Sequence, residues 1–185
     1  MIVSRIQAAF EFYSSHIYDE ALIALLQKHN LKVAGSVPSV KWELFGALLT
    51  GSKGAGDIGA DLVGWEVKSA TSGSSYEYQY HLNTGLAKLD EDCKVNHLFC
   101  SYQPTYESVT VRALSGAVLA KEFFKKWKPL YIKNYDEKAK SSRRRQRFRK
   151  AVTNSFVEQH GELILEISNS ELVFTSESAL ESFDK

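Results

Sequence analysis

The chain has 185 residues, 44% hydrophobic, 24% charged and 12% aromatic, with 23 Lys+Arg against 22 Asp+Glu for a formal charge of +1. Such a chain is long and apolar enough to bury a core, which excludes a disordered polymer. Its longest apolar run, Ala21 to Leu26, is too short to span a bilayer; Met1 leads into no secretory signal; and Cys93 and Cys100 make no disulfide scaffold, so a reduced cytoplasm is expected.

Ile2, Ile6, Ala9, Phe10, Tyr13 and Ile17 recur at helical spacing and predict a first helix. Asp19 is the expected N-cap of a second, which runs through Leu22, Ile23, Leu25 and Leu26 to about His29. Pro38-Ser39 introduces a third over Lys41–Thr50, with Trp42, Phe45, Leu48 and Leu49 on its apolar side and Gly51 as its stop. A loop with five glycines, Gly51 to Gly64, leads into two strands, Ile58–Val63 and Trp65–Ala70, joined tightly at Gly64. Leu82–Asp92 reads as a helix, Val95–Tyr102 and Ser108–Leu114 as strands, Ala117–Trp127 as an amphipathic helix and Leu163–Ile167 as a late strand. Tyr76, Tyr78 and Tyr80 alternate as one face of an extended segment would, packed in a DNA groove or against a partner. With no repeat or linker, residues 1–185 are expected to form one α/β (α+β) domain, a mixed sheet flanked by helices.

The charge is concentrated. Lys138 to Lys150 holds eight bases in thirteen residues, and removing them leaves 15 bases against 22 acids, a balance of −7. A basic run serves as a solvated face or as a phosphate-binding surface. Five of the eight are arginines, which read phosphate and guanine edges in bidentate fashion, while Phe148 and Val152 give the segment an apolar side. It is expected as a loop running into a helix near Val152.

The chemistry points to Gly54–Ala70, GAGDIGADLVGWEVKSA. Glu66 and Lys68 stand two apart in a strand, so both side chains leave on one face while Trp65, Val67 and Ser69 leave on the other. An upstream acid, Asp57 or Asp61, can be brought beside Glu66 by the turn at Gly64. A two-residue turn at Val63-Gly64 would set Asp61 across from Glu66, and a longer loop would set Asp57 there; spacing alone leaves both open. Two neighbouring carboxylates suit a hard divalent cation such as Mg²⁺. Lys68 beside it would orient or help deprotonate water and offset transition-state charge. Glu43 could add a ligand or lie on the helix surface. The histidines show no ligand spacing, and two cysteines do not suggest zinc.

This arrangement resembles the Asp…Glu-x-Lys site of the PD-(D/E)xK nuclease superfamily, and within it the PvuII-type type II restriction endonucleases. The likeness runs from Val40 to Gly161. It takes in ALLTG before the glycine-rich loop, Tyr80-His81-Leu82-Asn83 after the Glu66 strand, and Ala113-Leu114 followed by Glu122-Phe123-Phe124-Lys125-Lys126-Trp127. It ends with Phe156-Val157-Glu158-Gln159-His160-Gly161.

The resemblance implies a restriction-endonuclease-like fold and a homodimer that cuts double-stranded DNA at a palindromic site. It implies a prokaryotic cytoplasm, a cognate DNA methyltransferase, and Mg²⁺ as cofactor with Mn²⁺ able to substitute. Asp57 falls where the family's metal-binding aspartate sits, although its interval to Glu66 is one residue shorter, so Asp61 stands as the alternative. Glu66 becomes the second metal ligand and Lys68 the catalytic lysine. His81 and Asn83 fall in the stretch the family uses for base contacts. Ser141, Ser142, Arg143, Arg144 and Arg145 stand near the place where the relative reads bases from an Asn-Asn pair, so its recognition sequence is not expected to carry over, and with Arg147 they are the expected DNA contacts. A G·C-containing site, or plain phosphate contact, suits the arginines. Residues 1–35 are then expected as a helical dimerisation region, 36–70 as the run into the catalytic core and 138–155 as the DNA-contact segment.

Overall fold

The computed structural model describes residues 4–56, 59–82, 84–135 and 147–184. The first helix, α1 (Arg5–Phe12), starts at Ser4, whose side chain accepts from the Gln7 amide, and continues into a π-helical turn at Tyr13–Ile17. Helix α2 (Glu20–Lys28) is capped by Asp19 as expected, the carboxylate accepting from the Leu22 amide at 2.9 Å. Helix α3 (Ser39–Thr50) ends at Gly51. There follow β1 (Trp65–Thr71), β2 (Tyr76–His81), α4 (Gly85–Asp92), β3 (Asn96–Tyr102), β4 (Val109–Ser115) and α5 (Gly116–Leu119). A π-helical turn at Ala120–Phe124 joins α5 to α6 (Lys125–Asn134); then come β5 (Arg147–Val152), α7 (Asn154–His160), β6 (Glu162–Ser168), β7 (Glu171–Thr175) and α8 (Glu177–Glu181).

Five strands form a mixed sheet in the order β1-β3-β4-β6-β7. Among the described residues only β1 and β3 run parallel, in register from Trp65 opposite Asn96 to Thr71 opposite Tyr102; the other pairs are antiparallel. Parallel neighbours need a crossover, and here it contains β2 and α4. Strand β2 pairs with β5 as a separate antiparallel ribbon.

Period-two alternation sorts the sheet's side chains into two cores. Trp65, Val67, Leu98, Cys100, Val109, Val111 and Ala113 face α1, α3 and α8. Phe99 and Leu114 face the other way, onto β2, β5 and the α5–α6 run. Helix α3 lies close on β1 because Gly46 has no side chain: a Cβ there would stand 2.7 Å from a methyl of Val67. Among the described residues, no helix is long and apolar enough to cross a membrane.

Several elements differ from expectation. Gly59–Val63 is not a strand: Leu62 makes isolated bridges to Gly54 and Trp65, and Gly59 takes a positive φ that breaks extended backbone; Ile58 lies outside the described residues. The end of the basic segment is strand β5 rather than a loop, with Phe148 and Val152 in the second core and Arg147 and Arg149 exposed, and the helix expected near Val152 follows at Asn154. The helix expected to end at Trp127 continues through Pro129 to Asn134, which buries Tyr131. Tyr76, Tyr78 and Tyr80 pack inside the second core rather than in a groove or against a partner. The apolar stripe of α1 and the following turn (Ile6, Ala9, Tyr13 and Ile17) is likewise used within the subunit, so among the described residues the exposed large hydrophobic side chains of the N-terminal region reduce to Leu22, Leu25 and Leu31.

Candidate active site

The site forms where the glycine-rich loop turns into edge strand β1. Leu62 and Trp65 exchange backbone hydrogen bonds of 2.9 and 3.0 Å around Val63 and Gly64, the latter at φ +78°. This is the two-residue turn, with glycine supplying the left-handed backbone it requires. It sets Asp61 across from Glu66. The Asp61 amide donates to Glu66 Oε2 at 3.3 Å, and Asp61 Oδ2 accepts from the Val67 amide at 2.9 Å. Asp61 thereby takes the ladder position that a neighbouring strand would fill. Asp57, the other contender, lies outside the described residues.

Glu66 is 2% exposed and carries an ammonium group on each oxygen. Lys68 Nζ stands 2.5 Å from Oε1 and Lys88 Nζ 2.6 Å from Oε2. Burial alone would raise the Glu66 pKa, but the two lysines outweigh it and hold the carboxyl below its usual range. Lys68 also sits 4.9 Å over the ring of Tyr78. Asp61 has the opposite balance: burial first, then the charge of Glu66, pushes its pKa up to about 6. Asp61, Lys68 and Glu43 line one cavity of about 290 Å³ together with Ser39 and Trp42 of α3. Glu43, half-buried, is thus on the site's wall rather than on a bare helix surface.

Behind Glu66 lies a buried polar chain that the motif did not announce. Lys88 bridges Glu66 to Asp92, one turn along α4, at 2.6 Å. Asp92 is fully buried, and its Oδ2 accepts from the Tyr80 hydroxyl at 2.8 Å. Burial raises the Asp92 pKa in spite of Lys88, while Glu66 and Asp92 hold the Lys88 pKa up against burial. His97 Nε2 lies 2.8 Å from the Asp92 carbonyl, which can only accept, so Nε2 carries the proton. Nδ1 is then the acceptor for the Tyr78 hydroxyl, also at 2.8 Å. Burial drives the pKa of this histidine down to about 4. A signal for the chain was present: Gly85, Leu89 and Asp92 repeat at helical spacing, which places an acid on the apolar face of α4.

Of the expected DNA contacts, His81 and Arg147 are cross-strand neighbours at the end of the β2–β5 ribbon. Next to them Arg149 Nε donates to Gln79 Oε1 at 3.0 Å, and the His81 carbonyl accepts from the Tyr131 hydroxyl at 2.9 Å. Asn83, Ser141, Ser142, Arg143, Arg144 and Arg145 lie outside the described residues. A larger cavity, of about 740 Å³, runs from His81 and Gln79 to Lys88.

Asp61 and Glu66 are hard oxygen donors side by side, with Glu43 nearby, a set that suits a divalent cation keeping several waters. Among the described residues, no three His, Cys, Asp or Glu side chains are grouped as metal ligands. The chain matches no known family model and no curated protein.

Proposed function

We propose that the protein is a Mg²⁺-dependent endonuclease of the PD-(D/E)xK type that hydrolyses phosphodiester bonds in double-stranded DNA. The observation that carries this reading is the turn at Val63-Gly64, which sets Asp61 across from Glu66, the Asp61 amide donating to the Glu66 carboxylate and Lys68 paired with that same carboxylate. Asp61 and Glu66, with Asp57 as a further candidate, would hold the cation, which supplies a Lewis acid and an activated water. Lys68 holds a positive charge beside the reacting phosphate and orients the nucleophile. The products would be 5′-phosphate and 3′-hydroxyl ends. The arginine-rich segment and the His81–Arg147 pair would grip the DNA, and a homodimer would cut the two strands of a palindromic site.

A DNA-binding module without catalysis is the second reading. It is favoured by one fact: Glu66 is already charge-balanced by Lys68 and Lys88. Incubation of a long mixed-sequence DNA with the protein and Mg²⁺ separates the readings. Discrete fragments indicate a restriction-type enzyme and a smear indicates a nuclease without sequence preference. Uncut DNA that shifts on a gel indicates the module. Glu66→Gln and Lys68→Ala should each lower the cleavage rate at least about a hundredfold while DNA binding in Ca²⁺ persists. Near-normal cutting by either variant would sink the assignment.

A further inference from the structure

Lys88 is a resident cation of this site. It is fixed from two sides, by Glu66 Oε2 and by the fully buried Asp92, whose other oxygen is held by Tyr80. Lys68 differs: its one acidic partner among the described residues is Glu66, and it lines the cavity shared with Asp61. A divalent ion approaching Glu66 therefore meets an ammonium group already seated on the donor oxygen, and like charges at such separations in a low-dielectric site repel strongly.

We propose that Lys88 is a positioning residue that competes with the divalent cation for Glu66 and so sets the metal affinity of the site, with Asp92 as the carboxylate that draws Lys88 aside when the cation binds. This inference rests on the metal-dependent reading above. Asp92 is suited to the part because it stands 2.6 Å from Lys88 and accepts from Tyr80, so it can hold the whole ammonium charge without leaving its place. Two substitutions should act in opposite directions. Lys88→Met removes the competitor, so metal binds more tightly. Asp92→Asn leaves Lys88 with Glu66 as its only carboxylate partner among the described residues, so metal binds more weakly. A merely structural Lys88–Asp92 pair would loosen the site in both variants and weaken binding in both.

The experiment is titration of Mn²⁺ into the full chain, with free Mn²⁺ read by electron paramagnetic resonance, for wild type, Lys88→Met, Asp92→Asn and Glu66→Gln. Thermal melts establish which variants are folded. The expected result is a dissociation constant roughly tenfold lower in Lys88→Met and roughly tenfold higher in Asp92→Asn, with binding lost in Glu66→Gln. If Glu66→Gln abolishes binding but Lys88→Met binds no more tightly than wild type, the role of Lys88 is overturned and the metal site stands. If wild type binds no Mn²⁺, or binds it independently of Glu66, both readings fall. If Lys88→Met does not fold, Lys88→Gln takes its place: tighter Mn²⁺ binding than wild type supports the proposal, and an affinity equal to or below that of wild type overturns it.

Discussion

Asp61 and His97 titrate in the same acid window with opposite effects on stability. The Asp61 pKa rises from 3.8 to about 6, so the folded state holds this proton more tightly than the unfolded chain does. Its ionisation costs stability as pH rises through that interval. The His97 pKa falls from 6.5 to about 4, so its contribution is complete above 6.5 and is lost as pH falls toward 4. The two slopes offset each other in the wild type. Asp61→Asn should therefore stabilise the fold by about 1–3 kcal/mol at pH 8, with the gain gone by about pH 3.5. It should also expose the acid loss due to His97. Urea denaturation at the two pH values checks this, and equal wild-type and variant stabilities at pH 8 would refute the burial cost assigned to Asp61. Glu66 and Lys68 were legible in the sequence because strand alternation fixes their common face. That Asp61 lies across from Glu66 needed the turn length, which depends on how the glycine-rich loop closes. Lys88 and Asp92 escaped because they belong to another element, and nothing local says which buried carboxylate a distant lysine will meet.

At the scale of elements, the site depends on how α3 lies against β1, since α3 supplies Glu43 and Trp42 to the cavity wall. Gly46 sets that distance. Gly46→Ala should cost about 1–3 kcal/mol through overpacking against Val67. Part of the loss should return in Gly46→Ala/Val67→Ala, where the clashing methyl is gone. Additive losses in that double-mutant cycle, measured by chemical denaturation, would show that the two residues do not meet. The long helices were readable because each carries an apolar stripe and a clear cap or stop, as Asp19 and Gly51 do for α2 and α3. Strand β5 was hidden because Lys150 takes the inward position between Phe148 and Val152 and interrupts their period of two. Strand β7 was missed for a related reason: it is an edge strand that leaves Val173 and Phe174 largely exposed, so no buried alternation marks it.

For the whole molecule the useful quantity is where charge lies, since the net value of +1 conceals a basic segment on an acidic body. The outer face of the β2–β5 ribbon carries Arg147 and Arg149 from that segment. If this face meets DNA phosphates, replacing both arginines by Ala should lower the magnitude of the log-affinity against log-salt slope by about 2. An unchanged slope in a filter-binding series would move the contact surface elsewhere. Mixed architecture and a central sheet follow from the order of the elements; the separate β2–β5 ribbon does not, because it joins segments far apart in sequence through tyrosines whose destination only the folded core reveals.

The crossover between the parallel strands also sets a timetable. Glu66 and Lys68 are neighbours as soon as β1 extends, whereas Lys88 and Asp92 arrive only once β2 and α4 have folded back and β3 has docked beside β1. Long-range parallel pairing is slow. If Lys88 reaches Glu66 only after the rate-limiting barrier, Lys88→Met should accelerate unfolding with little change in the folding limb of a chevron plot, whereas a slowed folding limb would place the contact within the barrier. In the first case the charge balance of the site would act as a latch on the native state, governing how long the fold persists more than how quickly it forms.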